Sequence, residues 1–241
     1  MSYSSDVKSE IAAGIEIRTC CDKAFINSAL CFFNVLTAKK LRFKTAAQSV
    51  ALCFYAVLRE ITGISFSLSR LKDNFVISLE DEKLIRSALE KAGCINKKTG
   101  EIQSTLNDSL SINGCCQQSV LKGAFLAGGY IADPKKAYHF EIVSRRTKLI
   151  ERIQDMLLSF DIDSKTVKRG ANTVLYIKEK EMIADVLSLL NATNSFFSFQ
   201  EVMVEKEVKN SLNRRQNFEQ ANLDKTLDAS LIQCAAIEKL K

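Results

Sequence analysis

The sequence predicts an α+β fold: two tandem copies of one α-β-α-β-β-α unit around a pseudo-twofold helix pair, followed by a linker helix. Three observations predict it. Two cysteine doublets, Cys20-Cys21 and Cys115-Cys116, each open an apolar run of helical length, "CCDKAFINSALCFFNVLTA" and "CCQQSVLKGAFLAGGYIAD". Each run leads into an alternating segment, "LRFKTA" (41–46) and "YHFEIV" (138–143), that reads as a strand. The order of elements then recurs, with matching members roughly 95 to 98 residues apart.

The elements follow in order. "SYSSDVKSEIA" near the start is an amphipathic N-terminal helix, and the first repeat takes residues 1–95 with it. After the first strand, "AAQSVALCFYAVLREITG" (46–63) has helical apolar spacing; its counterpart is "TKLIERIQDMLLSFDI" (147–162). Strand, turn, strand and helix fill 64–93 and again 163–192. Lys72-Asp73-Asn74 and Arg169-Gly170-Ala171-Asn172 supply the hairpin turns. A polar connector (96–114) joins the repeats, the second repeat runs from 115 to 204, and 205–241 is a linker. A unit of about 75 to 80 residues is small for a core of its own, so the two copies are expected to share one. Gly123, Ala127, Gly128 and Gly129 thin one face of the second apolar run, which suits a close helix crossing. A turn needing positive φ at Gly128 or Gly129 is the other reading. Asp133-Pro134 is expected to stop that helix.

Bulk properties exclude several classes of function. With 46% hydrophobic and 26% charged residues, the 241-residue chain has the composition of a globular protein. No apolar stretch reaches the ~20 residues of a membrane span, and the polar start lacks a signal-peptide core. A cytoplasmic protein with reduced cysteines is expected. The net charge of +6 permits nucleic-acid binding without demanding it. Adjacent cysteines on a helix point about 100° apart, so the doublets read as buried thiols and no metal is expected. The only histidine, His139, reads as a strand residue on a half-exposed face without an acidic partner, and no Ser-His-Asp arrangement can be drawn with it. No phosphate loop or dinucleotide motif appears, and no cofactor is expected.

"FLAGGYIAD" resembles the LAGLIDADG helix of homing endonucleases, which sit as two repeats around a pair of such helices. The longer run "CCQQSVLKGAFLAGGYIADPKKAYHFEIV" resembles the WhiA family of sporulation and cell-division regulators from Gram-positive bacteria, as do "NTVLYIKEKEMIADVLSLLNA" and "VKNSLNRRQNFEQANLDKTLDASLIQ". That family carries a degenerate LAGLIDADG domain followed by a helix-turn-helix domain, which this chain is expected to lack.

The resemblance implies a non-catalytic, DNA-binding, nucleoid-associated regulator rather than an enzyme. Family nucleases need a carboxylate at the end of each axis helix to hold divalent metals. Asp133 falls at that place in the second repeat, but the first offers Thr37, Ala38 and Lys39, so Asp133 reads as vestigial. LAGLIDADG sheets lie on the major groove of double-stranded DNA. Candidate contacts are then Arg42, Lys44, Arg70 and Lys72 in the first repeat and Lys135, Lys136, Arg145, Arg146, Lys165, Lys168 and Arg169 in the second. Arg214 and Arg215 are further candidates in the tail, where Asn213, Asn217 and Asn222 are expected to make a joint before a helix starting near Leu223. The alternative is a module that binds a protein partner and no longer touches DNA.

Overall fold

The structure, a computed structural model, describes residues 2–16, 19–96, 99–110 and 113–239, without the side chains of Thr19 and Cys20. The chain divides into two compact units, the first ending at Phe197 and the second starting at Ser198. In the first unit, helix α1 (Tyr3–Ala13) precedes the first repeat: α2 (Thr19–Cys31), β1 (Val35–Leu36), β2 (Leu41–Thr45), α3 (Gln48–Thr62), β3 (Ser67–Leu71), β4 (Asn74–Leu79) and α4 (Glu82–Lys91). The second repeat is α5 (Gly114–Gly128), β5 (Gly129–Ile131), β6 (Phe140–Ser144), α6 (Thr147–Leu158), β7 (Lys165–Arg169), β8 (Asn172–Ile177) and α7 (Lys180–Leu189). Each repeat thus has one strand more than the sequence predicts, because the end of each axis helix run folds back as a short strand. The two sheets have the same antiparallel order, β1-β2-β4-β3 and β5-β6-β8-β7.

The repeats match in register. Leu36 faces Leu41 as Ile131 faces Phe140, and Ser67 faces Ser78 as Lys165 faces Tyr176. Alternation along β2 buries Leu41 and Phe43 and leaves Lys44 exposed. Phe43 packs on Phe54 of α3 with ring centroids 5.1 Å apart. Phe140 of β6 stacks on Phe125 of α5 at 5.3 Å. Each sheet therefore has a helix face and an open face.

Helices α2 and α5 form the shared axis. A Cβ on Gly123 would overlap the Phe25 carbonyl oxygen and lie 3.3 Å from the Ala29 nitrogen. The offset that pairs Leu36 with Ile131 also pairs Phe25 with Val120 and Ser28 with Gly123. Ser28 is buried, and its hydroxyl donates to the Val120 carbonyl at 2.8 Å. The crossing is thus the same contact made twice, once by a glycine and once by a serine. Gly128 is also close-packed: a Cβ there would come 2.9 Å from the Val143 carbonyl oxygen. Ala127 is half-buried, and neither Gly128 nor Gly129 has positive φ, which rules out the turn reading. Gly129 begins β5, so the helix ends before Asp133-Pro134. That pair instead shapes the β5–β6 loop, where the Asp133 carboxylate accepts from the Lys135 nitrogen at 2.9 Å. The connector is tied to the axis by Asn27, whose amide donates to the Gly93 carbonyl and whose oxygen accepts from the Asn107 nitrogen.

Helix α8 (Thr193–Glu238) begins in the first unit. Glu10 of α1 caps it, accepting from the Asn194 and Ser195 nitrogens at 2.6 and 3.0 Å and from the Ser195 hydroxyl at 2.5 Å. The second unit is the remainder of this helix. It runs unbroken through Asn213, Asn217 and Asn222, and the boundary expected after residue 204 falls inside it. A single Asn costs only a few tenths of a kcal/mol in a helix, and i,i+4 contacts such as Arg215–Glu219 at 2.9 Å and Gln220–Asp224 at 2.8 Å offset it.

Lys8 of α1 reaches across to α5, donating to the Leu126 carbonyl at 3.4 Å and lying over the Phe125 ring. Burial pulls its ammonium down from 10.5 to about 8. A cation whose folded pKa is depressed costs stability while charged, and that cost fades as pH rises from the folded toward the unfolded pKa. Between about pH 8 and pH 10 the native chain should gain about 1–2 kcal/mol relative to Lys8→Met. Urea titrations of both proteins across that range check it.

Candidate nucleic-acid interface

The open face of the first sheet is set by the pairings Arg42↔Ser78↔Ser67 and Lys44↔Val76↔Ser69. On the second sheet the same face carries Glu141↔Tyr176↔Lys165 and Val143↔Val174↔Val167, with Arg169 opposite Asn172 at the hairpin end. Arg42, Lys44, Lys165 and Arg169 thus share the open faces, although Val76 and Val174 at their centres are themselves buried. Leu71, Tyr130 and Val167 are exposed on these faces as well.

Two predicted contacts stand on the other side. Period-two alternation turns Arg70 and Lys168 toward the helix faces, at the edge strands β3 and β7. Arg70 lies over the Phe75 ring at 5.9 Å and donates to the Lys72 carbonyl. Lys72 occupies the tip of the β3–β4 hairpin with φ 55°, where its counterpart is Gly170. Lys135 and Lys136 are exposed in the β5–β6 loop. Arg145 lines a groove between the repeats together with Phe32, Asn34 and Asn172. Arg146 is committed elsewhere. Its guanidinium donates to the Cys31 carbonyl at the end of α2, where a cation complements the helix dipole. Arg214 and Arg215 are exposed on α8.

The electrostatics of the two open faces differ. In the first repeat Lys40 pairs with Glu80 at 2.6 Å. The hydrogen bond and charge of Lys40, and then the charge of Arg42, hold the Glu80 carboxyl below its usual range. In the second repeat Glu141 stands where the first has Arg42, and it gathers His139 at 3.1 Å and Arg169 at 3.4 Å. His139 thus has an acidic partner, contrary to the sequence reading. The strand starts at Phe140, one residue later, and the two side chains bracket it. Glu141, one of the acidic residues that the sequence intersperses among the basic candidates, moderates the basic face.

The hairpin register makes Ala38 the counterpart of Asp133. The first-repeat turn closes on itself instead, with Thr37 Oγ1 donating to the Lys40 carbonyl at 3.0 Å. A pair of carboxylates able to hold divalent ions between the repeats is therefore not formed by these two positions, and two-metal phosphodiester cleavage does not fit them.

The cysteine doublets behave otherwise than expected. Cys21, Cys115 and Cys116 bring their sulfurs within 4.8 Å of one another, because the two axis helices start side by side. Cys20 lies outside the described side chains. Of the doublet thiols with described side chains, Cys116 is buried, Cys21 half-buried and Cys115 exposed; outside the doublets, burial pushes the pKa values of Cys31 and Cys53 up to about 12. Among the described residues no helix is long and apolar enough to cross a membrane.

Residues 117–209 match the WhiA LAGLIDADG-like domain family. Among relatives, a probable cell division protein WhiA of Alkaliphilus metalliredigens is 31% identical over all of this chain and 80% of its own length. One of Thermoanaerobacter sp. strain X514 is 32% identical with the same coverage. Among solved structures, full-length DUF199/WhiA from Thermatoga maritima aligns over 95% of this chain and 75% of its own with a TM-score of 0.66 and 18% identity. The homing endonuclease I-DmoI, solved in complex with DNA and Mn, aligns over 72% of this chain and 98% of its own with a TM-score of 0.50 and 12% identity.

Proposed function

The chain belongs to the WhiA family, and from that membership we propose that it is a non-catalytic regulator that binds double-stranded DNA through the open faces of its two sheets. The observation that carries this reading is the placement of Arg42, Lys44, Lys165 and Arg169 on those faces. Cations spaced along strands neutralise phosphates and set register without reading bases. The homing endonuclease I-DmoI, which shares the fold, was solved in complex with DNA, and this supports the reading. The relatives' name points to cell division, and a role in transcription linked to division, chromosome segregation or sporulation is the regulatory reading. The missing carboxylate partner for Asp133 argues against cleavage.

Fluorescence anisotropy of a labelled ~30 bp duplex across a salt series tests this. Four phosphate contacts give a log-log slope near −3.6, about 0.9 for each. Absence of binding at low salt sinks the proposal. A second reading, docking of a protein partner, draws on exposed Leu71, Tyr130 and Val167 on the same faces. It predicts no salt-dependent affinity for DNA.

A further inference from the structure

The cysteine cluster stands apart from the residues proposed for DNA contact. It lies at the start of the axis helices, the end away from the β1–β2 and β5–β6 hairpins. The offset that pairs Ser28 with Gly123 makes Cys21 the counterpart of Cys116. The repeat symmetry therefore supplies thiols from both halves of the protein to one place. Their spacing suits a single ion: two sulfurs bound at about 2.3 Å to one tetrahedral centre lie about 3.8 Å apart. Closing sulfurs that already lie within 4.8 Å of one another needs only small side-chain rotations. Cys21 and Cys115 line a cavity of about 260 Å³, whose lining also includes Glu16, Asp22, Gln118, Lys122 and Asn191, while Cys116 is buried beside them.

We propose that Cys21, Cys115 and Cys116 form a thiolate site for a soft divalent ion of the zinc type, with its fourth position open to the cavity. All-sulfur donors select thiophilic metals over magnesium or calcium. Three thiolates around a divalent ion leave one net negative charge. The mostly buried Lys122, which lines the same cavity as the Glu16 and Asp22 carboxylates, offsets part of the negative charge there. A bound ion would staple the two repeats at the end of their axis. It would also steady the turn into α8, because Gln118 donates to the Leu189 carbonyl and to the Asn191 side chain beside the cavity.

The test is a cobalt titration of the full chain, kept reduced with a phosphine. One equivalent of Co²⁺ should bring thiolate-to-cobalt charge transfer and the visible bands of a tetrahedral centre, and Zn²⁺ should bleach both. Cys21→Ser and Cys116→Ser should each weaken binding at least tenfold, and Cys53→Ser should leave it unchanged. A second readout avoids any folding defect in the variants: in the native chain, Zn²⁺ should protect the exposed Cys115 from alkylation, read by mass spectrometry, without changing Cys234. Absence of charge transfer, cobalt uptake that survives both serine substitutions, or unprotected Cys115 would each overturn the site. So would a Cys21–Cys116 disulfide that forms in place of metal uptake.

Discussion

Gly123→Val leaves no folded protein, and Gly123→Ala lowers stability by about 2–3 kcal/mol. The reason is the identity of the neighbour. The added Cβ would meet the Phe25 carbonyl and the Ala29 nitrogen, which are backbone atoms and cannot rotate away. Relief requires the two axis helices to separate, and with them both repeats. The helix propensity gained by Ala, about 1 kcal/mol, is smaller than this cost. For a chain of this size the alanine variant should melt about 5–10 °C lower. Gly114 is the control: it is the first residue of the same helix, and a Cβ there meets nothing within 4 Å. Gly114→Ala should therefore leave the melting temperature unchanged or slightly raised. Equal changes in both variants would mean that the close crossing at Gly123 does not govern the response.

The second large effect concerns charge. Replacing Arg42, Lys44, Lys165 and Arg169 together with glutamine should flatten the salt dependence of DNA binding by about 3.6 in log-log slope. Affinity at low salt should fall about a hundredfold or more. Arg169 contributes twice, because its removal also exposes the duplex to the Glu141 carboxylate it faces at 3.4 Å. Arg70→Gln with Lys168→Gln makes the matched control, since both side chains stand on the helix faces. Should that pair cost as much per charge as the four, the interface is not on the open faces.

The repeat architecture was legible because duplication writes itself twice. The doublets, the alternating strands and the hairpin turns each recur, and agreement between copies substitutes for certainty in either. Gly123 was legible for the same reason that it matters, since three glycines in one apolar helical run have a large propensity cost that only close packing offsets. The extra strands β1 and β5 were not legible. They are two and three residues long, their apolar content continues that of the helix before them, and only pairing with β2 and β6 distinguishes them. Which face Arg70 and Lys168 take depends on strand register, and register is fixed by tertiary pairing rather than by local pattern. The convergence of the cysteines was hidden by considering each doublet alone. Two side chains 100° apart on one helix chelate poorly, but a neighbouring helix that starts at the same level supplies the missing direction.

The cap that Glu10 places on Asn194 and Ser195 has a consequence for the order of synthesis. Residues of α1 hold the first turn of a helix that is made only after both repeats. On the ribosome, the capping acid is therefore already outside when α8 emerges, and the long helix can nucleate against a waiting partner. A circular permutant that moves α1 behind α8, on a linker long enough to return it to Asn194 and Ser195, would keep the cap and yet reverse that schedule. Comparing the yields of the two chains during translation would separate what the final fold needs from what its assembly needs.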